Sequence, residues 1–252
     1  MNPLLQVNHL SYAYHSTSGE TCALSDLSFQ VKKGEFIAIV GPSGCGKSTL
    51  LSLISGLLHP EKGEILLEGK PLRESKTAVG YMLQKDHLLE WRTIYQNVLL
   101  GLEIQHRVTE ERKERIETML KDYGLSAFRN ARPSQLSGGM RQRAALIRTL
   151  AQEPSLLLLD EPFSALDYLT RISVCDDIYQ ILKKENKTAV LVTHDLSEAI
   201  SVADRIIVLT ARPASIKTII PVHLTLEERT PLSSRNAPEF KEYFNLIWKE
   251  LK

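Results

Sequence analysis

The stretch that decides the fold is Phe36-Ile-Ala-Ile-Val40, followed directly by Gly41-Pro-Ser-Gly-Cys-Gly46-Lys47-Ser48. Five consecutive apolar residues are typical of a β-strand that is covered on both faces. The residues after them fit the pattern G-x-x-x-x-G-K-[ST] of a phosphate-binding loop. Residues 47–57 then carry apolar side chains at helical spacing. The order of strand, glycine-rich loop and helix predicts an α/β fold in which a helix N-terminus faces a phosphate.

The residue types in this loop suit a bound polyphosphate. Glycines allow the backbone N–H groups to turn toward phosphate oxygens. Lys47 can reach the terminal phosphates, and the Ser48 hydroxyl can ligate Mg²⁺. Cys45 is interpreted as a small spacer. The alternative interpretation is an ordinary glycine-rich turn with an exposed lysine.

A second element, Ser155-Leu-Leu-Leu-Leu-Asp160-Glu161-Pro162, places two carboxylates after four apolar residues. This order suits a buried strand whose carboxyl end opens onto a ligand crevice. We predict that Asp160 holds Mg²⁺ through a water and that Glu161 polarises an attacking water, because both tasks need carboxylate oxygens. The alternative is that the two acids cap the next helix.

Composition narrows the class of protein. The chain has 252 residues, 31 Lys and Arg against 30 Asp and Glu, and 43% hydrophobic residues. This balance argues against a general nucleic-acid binder and against disorder. The apolar stretch 50–58 is far shorter than the roughly 20 residues that span a bilayer, and residues 1–10 show no signal peptide. With Cys22, Cys45 and Cys175 interpreted as free thiols, we expect a soluble cytosolic protein.

Strand-like and helical patterns alternate along the chain, which predicts a largely parallel sheet. Helical patterns dominate between residues 84 and 151, so we expect one α/β core with an inserted helical subdomain. Further strands are predicted at 4–14, 27–31, 64–68, 79–83, 155–159 and 188–192, and further helices at 109–123 and 238–252.

A third motif, Leu136-Ser137-Gly138-Gly139-Met-Arg-Gln142, lies 18 residues before Asp160. Ser137 can cap the helix that follows, and the two glycines allow a close approach of the backbone to an anion. Taken alone, the motif predicts a second and weaker phosphate site. An ordinary helix start is the alternative.

With these motifs, the sequence resembles the ATP-binding subunits of ABC transporters over nearly the whole chain. The resemblance implies a P-loop NTPase (RecA-like) core with an antiparallel β subdomain and an inserted α-helical subdomain. It implies an ATPase domain over residues 1–225, with the helical subdomain at about 85–152. Residues 226–252 would form a short C-terminal helical extension.

The resemblance also implies functional residues. Glu161, His194 and Gln84 are the candidate catalytic residues, and Ser48, Gln84 and Asp160 are the candidate Mg²⁺ ligands. Tyr14 resembles the aromatic residue that stacks on adenine, with Tyr12 as its rival. The candidate ATP-binding residues are Tyr14, Gly41, Pro42, Ser43, Gly44, Cys45, Gly46, Lys47, Ser48, Thr49, Ser137, Gly138, Gly139 and Asp167. Three of these residues have a local alternative. Gln84 would be a solvated residue at a strand end, His194 a histidine without a special role, and Asp167 a helix cap.

In this family two chains face each other head to tail, and ATP lies between the phosphate loop of one and the signature sequence, here residues 136–142, of the other. The resemblance therefore implies a second copy of the chain, membrane permease subunits and, indirectly, a substrate-binding protein, but no nucleic acid. The chain would sit at the cytoplasmic face of the membrane. A soluble ABC ATPase of DNA repair or translation, and a P-loop kinase or GTPase, are the alternatives.

Two stretches indicate a subgroup of the family. Residues 88–93 and 203–213 resemble the importers of nitrate, sulfonate and taurine, although Glu90 stands where a proline is expected.

A third stretch indicates a docking surface. Residues 84–97 carry Leu88, Leu89 and Trp91, an apolar cluster that is costly to leave in water. We predict that this segment docks a permease helix; the alternative is that all three side chains fold into the helical subdomain.

Overall fold

The structure is a computed structural model that describes residues 3–17, 19–75 and 79–252. Its strands are β1 Leu5–Ser16, β2 Gly19–Val31, β3 Phe36–Val40, β4 Lys62–Leu67, β5 Lys70–Pro71, β6 Val79–Met82, β7 Leu156–Asp160, β8 Thr188–Val192, β9 Arg205–Leu209 and β10 Ile216–Pro221. Its α-helices are α1 Lys47–Ile54, α2 Ile94–Ile104, α3 Glu110–Asp122, α4 Gly138–Leu150, α5 Tyr168–Lys184, α6 Leu196–Val202, α7 Pro231–Ser234 and α8 Phe240–Leu251.

The central sheet has six strands in the order β10-β9-β3-β8-β7-β6. All neighbours pair in parallel except β10, which lies antiparallel to β9 at one edge. The strands β3, β7 and β8 are buried at every residue, as their continuous apolar sequence predicts. The carboxyl ends of β3, β6, β7 and β8 therefore share one edge of the sheet, where ligands bind in open α/β folds.

The side chains of β3 alternate between two hydrophobic clusters. Ile37 and Ile39 pack in a cluster with α1 and the second sheet. Ala38 and Val40 pack on the opposite face, with α6 and α8. Because both faces are covered, β3 is fixed in the middle of the molecule, and the loop that follows it is held at a defined position.

The second sheet has four strands in the order β2-β1-β4-β5, and its pairings are antiparallel. Helices α2, α3 and α4 lie between β6 and β7 in sequence and pack together through a cluster that includes Ile94, Leu102, Ile116 and Leu146. The α/β class, the antiparallel sheet and the inserted helices all agree with the predicted fold. None of the described helices combines the length and the apolar character of a membrane span.

Several predicted boundaries are wrong. The strand predicted at 27–31 begins at Gly19, because a mostly exposed polar segment extends it along β1. The helix predicted at 47–57 ends at Ile54, and Gly56 turns the chain with a φ of 80°. The edge strand β10 and its neighbour β9 were not predicted at all. By contrast, the helix predicted at 238–252 forms as α8 and buries Ile247 against α6.

Candidate nucleotide-binding and catalytic site

The loop after β3 requires glycine at Gly46. Its φ is 121°, a conformation that side chains disfavour. A Cβ atom there would also lie 2.9 Å from Leu24 Cδ2 and 3.1 Å from the Ala23 carbonyl oxygen. Gly46 is the residue before α1, and no described side chain caps this helix. The N-terminal N–H groups of α1 therefore remain available to an anion.

The lysine of the loop is held inside it. Lys47 is buried, and its Nζ donates hydrogen bonds to the carbonyl oxygens of Gly41 and Pro42, both at 2.9 Å. The side chain of Cys45 is also buried, 3.0 Å from the position that a Cβ atom of Gly41 would take. The Cys45 side chain therefore packs inside the loop, which favours its interpretation as a small spacer.

An open cavity of about 500 Å³ contains much of the predicted site, but Gly41, Pro42, Cys45 and His194 do not line it. It is lined by Tyr14, Ala23, Ser43, Gly44, Gly46, Lys47, Ser48, Thr49, Gln84, Asp160, Glu161 and Arg212. Positive groups of the loop thus face two carboxylates across the carboxyl edge of the sheet. Ala23 and Arg212 were not predicted as site residues.

The oxygen atoms at the acidic side fit a magnesium ion. Ser48 Oγ donates to Asp160 Oδ1 at 3.1 Å, and the Tyr81 hydroxyl donates to Asp160 Oδ2 at 3.1 Å. Burial raises the pKa of Asp160, although these two hydrogen bonds oppose the rise. In the described ranges, no three His, Cys, Asp or Glu side chains are arranged so that they could hold a metal ion by themselves. Mg²⁺ commonly binds through one or two protein oxygens together with phosphate and water.

Three residues from three strand ends meet at the Glu161 carboxylate. Glu161 follows β7 with a φ of 42° and donates its N–H to the Val192 carbonyl of β8. Its Oε2 lies 3.1 Å from His194 Nδ1 and accepts a hydrogen bond of 3.5 Å from Gln84 Nε2. The three candidate catalytic residues therefore meet at one carboxylate, although His194 is not among the residues that line the cavity. A carboxylate and an imidazole in such a position can orient a water and accept its proton.

Of the two tyrosines proposed to stack on adenine, Tyr14 faces the cavity. Tyr14 is 46% exposed, and its hydroxyl is 3.0 Å from Thr49 Oγ1. The Tyr12 ring stands edge-on to it at 5.1 Å between centroids and packs on the hydrophobic cluster below. This arrangement favours Tyr14 as the stacking residue.

Arg212 is the cation that sequence reasoning missed. It lies after β9, and its Nε and Nη2 atoms donate to the Gly44 carbonyl oxygen at 3.2 and 2.8 Å. The stretch 203–213 was noted only for its resemblance to a subgroup of importers. Its position on the phosphate loop depends on the pairing of β9 with β3, which no local pattern indicated.

The signature motif does not line the cavity. Ser137 caps α4 by accepting a hydrogen bond from the Met140 N–H at 3.3 Å. A Cβ atom at Gly139 would lie 2.9 Å from Val174 Cγ2, so α4 and α5 approach closely there. Asp167 caps α5 through the Thr170 N–H at 3.1 Å, and hydrogen bonds to Thr170 lower the pKa of Asp167. Within one chain, the phosphate loop cavity is thus not lined by four of the predicted ATP-binding residues: Ser137, Gly138, Gly139 and Asp167.

A phosphate loop and two carboxylates at the carboxyl edge of a parallel sheet define a P-loop nucleotide hydrolase. The family model described as "ABC transporter" matches residues 24–164. The chain therefore belongs to the ABC transporter family, as an ATP-binding and ATP-hydrolysing domain.

Relatives and a solved structure agree with this assignment. The chain is 47% identical to the uncharacterized ABC transporter ATP-binding protein YtlC of Bacillus subtilis, over 98% of this chain and 95% of that one. It is 40% identical to the nitrate transport protein NasD of Klebsiella oxytoca, over 89% of this chain and 87% of NasD. It is 34% identical to the aliphatic sulfonates import ATP-binding protein SsuB of Bacillus cereus, over 94% and 92%. The chain also superimposes on the dimeric post-hydrolysis structure of the cassette MJ0796 with ADP and Pi, with a TM-score of 0.75 at 31% identity. The match covers 87% of this chain and 99% of the MJ0796 chain.

Proposed function

We propose that this chain is the ATP-hydrolysing subunit of an importer for a small anionic solute of the nitrate or sulfonate kind. The observation that carries the proposal is the cavity in which the phosphate loop faces Asp160 and Glu161. The subunit would bind ATP, pair with a second copy and transmit its closure to membrane subunits. The names of NasD and SsuB support the importer role and the class of solute.

In the proposed mechanism, the loop N–H groups and Lys47 bind the phosphates of ATP. Ser48 and Asp160 would hold Mg²⁺, with Gln84 beside them, and the ion would neutralise phosphate charge. Glu161 would accept the proton of the attacking water. His194 is already in contact with Glu161, and it would hydrogen-bond the γ-phosphate and hold the water in line. Positioning and charge neutralisation are the main requirements of phosphoryl transfer.

The second copy would supply the signature motif. Ser137, Gly138 and Gly139 begin a 13-residue helix but do not line the cavity of their own chain. A head-to-tail pair would bring this helix N-terminus to the phosphates bound by the partner, where its N–H groups stabilise negative charge. The dimeric form of the similar cassette MJ0796 supports the pairing of two chains.

The predicted docking segment is only partly exposed. Leu88 is 7% exposed and packs in the helical cluster, so the alternative holds for that residue. Trp91 is 71% exposed and Ile104 is 69% exposed, on the connection before α2 and at its end. We propose that Trp91 contacts a permease helix and that the subunit is held at the cytoplasmic face of the membrane by this contact.

Reconstitution of the chain with its permease subunits in lipid vesicles tests the proposed function. We expect ATP hydrolysis in proteoliposomes to rise when the cognate binding protein is loaded with nitrate or an alkylsulfonate. Uptake of the solute should require ATP and Mg²⁺. A chain that does not assemble with any membrane subunit, or that hydrolyses no ATP in the assembly, would contradict the proposal.

The Tyr14→Ala variant is expected to bind ATP roughly tenfold more weakly, because stacking of a base on an aromatic ring contributes ~1–3 kcal/mol. Tyr12→Ala is the matched control, since the neighbouring ring packs on the core instead. It should lower thermal stability with little change in the dissociation constant. Titration with a fluorescent ATP analogue measures both constants. Equal weakening by the two variants would remove the stacking assignment from Tyr14.

The Trp91→Ala variant is expected to weaken assembly with the permease by roughly 30-fold, or about 2 kcal/mol, because exposed tryptophans often dominate interfaces. Affinity of the isolated subunit for ATP should not change. Trp248→Ala serves as control, since this tryptophan is also exposed but lies on α8. Co-purification and ATP binding measure the two effects. Normal assembly and transport by Trp91→Ala would exclude this surface.

A further inference from the structure

A buried carboxylate supports the turn that carries His194. Glu198 of α6 is only 3% exposed, and its Oε2 accepts a hydrogen bond of 2.6 Å from the Thr193 hydroxyl. Thr193 Oγ1 in turn accepts the Asp195 N–H at 3.0 Å. Thr193 and Asp195 flank His194 in sequence. The backbone on both sides of His194 is therefore tied to a single carboxylate.

Arg171 connects the same carboxylate to the loop before α5. Its Nη2 donates to the Leu166 carbonyl oxygen at 3.0 Å, next to Asp167. Its Nη1 is 3.6 Å from Asp195 Oδ2, and its Nε is 4.0 Å from Glu198 Oε1. The guanidinium thus lies between the Asp167 loop and the His194 turn. Arg171 Nε is buried and has no hydrogen-bond partner in the part of the chain that the structure describes.

Burial of the Glu198 carboxylate lowers the stability of the folded state. Burial raises the pKa of Glu198 to about 7; the Thr193 hydrogen bond, Arg171 and His194 oppose the rise, and Asp195 adds to it. A buried carboxylate loses its hydration, so an apolar side chain of similar size would pack there at a lower cost. The N-terminus of α6 is capped by Asp195, whose side chain accepts the N–H groups of Ser197 and Glu198.

We propose that Glu198 is a positioning residue for His194, holding the His194 turn through Thr193 and linking that turn to the Asp167 loop through Arg171. His194 Nδ1 lies 3.1 Å from Glu161 Oε2, and this contact depends on where the turn is held. The inference rests on the proposed function, in which His194 hydrogen-bonds the γ-phosphate of ATP and orients the attacking water. A movement of the Asp167 loop when two chains close would reach His194 through the Arg171 guanidinium.

Two substitutions at Thr193 test the link: Thr193→Val keeps the size of the side chain but removes the hydroxyl, and Thr193→Ser keeps the hydroxyl. In Thr193→Val, the Asp195 N–H and the Glu198 carboxylate both lose their partner. We expect at least about a tenfold slower turnover, because a misplacement of about 1 Å can cost 10²-fold. The dissociation constant for ATP should stay within about twofold, since Thr193 does not line the cavity. Thr193→Ser keeps the hydroxyl and should retain wild-type turnover.

Glu198 itself offers a second matched pair. Glu198→Gln keeps an oxygen that accepts the Thr193 hydroxyl, whereas Glu198→Leu removes it. We expect Glu198→Leu to reproduce the slow turnover of Thr193→Val and Glu198→Gln to recover most of it. Thermal melting shows whether each variant is folded. If the leucine variant does not fold, the comparison of Thr193→Val with Thr193→Ser still decides the question.

A spectroscopic signal of His194 provides a readout independent of ATP hydrolysis. In protein with ¹⁵N-labelled histidines, the ring signals of His194 are identified by their loss in His194→Ala. We expect them to shift in folded Thr193→Val and to stay unchanged in Thr193→Ser. If wild-type protein hydrolyses no ATP, the proposed function fails, yet the ring shift still tests the positioning. Unchanged ring signals, or equal losses of ATP affinity and turnover in Thr193→Val, would overturn the inference.

Discussion

Replacing Glu161 with glutamine is expected to slow ATP hydrolysis by about 10²- to 10⁴-fold, because an amide cannot accept the proton of the attacking water. This loss corresponds to about 3–5 kcal/mol of activation free energy. ATP binding should persist, since Lys47 and the loop are unchanged. The variant should therefore accumulate as an ATP-bound dimer. Phosphate release measures the rate, and size-exclusion chromatography with ATP measures the dimer.

Glu153→Gln is the matched control for this substitution. Glu153 also has a positive φ, 56° against 42° for Glu161, so the two changes carry a similar backbone cost. Its carboxylate pairs with Arg115 instead of lining the cavity. We expect wild-type turnover from the control. Near wild-type turnover in Glu161→Gln would exclude Glu161 as the base.

Two inactive variants are expected to restore activity when they are mixed. Lys47→Met removes the phosphate-binding ammonium, and Gly138→Asp places a negative charge at the start of α4. In a head-to-tail dimer, a mixed pair combines the intact loop of one chain with the intact signature of the other. Random pairing makes about half of the dimers mixed, with one intact site of two, so about a quarter of the wild-type sites return.

The Gly138→Asp variant should fold. A Cβ atom at Gly138 would lie 3.0 Å from Leu166 Cδ2, the flexible end of a side chain, and Asp is favourable in the first turn of a helix. Each variant alone should hydrolyse ATP about 10- to 100-fold more slowly than the wild type, because charge-assisted phosphate contacts contribute ~1.5–3 kcal/mol each. Differently tagged chains allow mixed dimers to be purified. Purified mixed dimers without any activity would contradict the head-to-tail arrangement.

The sequence by itself determined the fold class, the phosphate loop and the two acids after β7. These features are local: a continuous apolar strand must be covered on both faces, and a loop such as 41–48 needs its glycines wherever it occurs. The same local chemistry predicted the helix caps at Ser137 and Asp167. It did not indicate whether their helices face the cavity of their own chain.

The tertiary structure decided which distant side chains meet. Tyr81 reaches Asp160 because β6 lies beside β7, and Arg212 reaches Gly44 because β9 lies beside β3. It also places Tyr14, and not Tyr12, at the cavity, and it buries Leu88 but leaves Trp91 exposed. The buried Glu198 is a further case, since a glutamate in a short helix looks solvated in the sequence. Strand order and helix packing bring these residues together, and no single segment of the chain encodes either one.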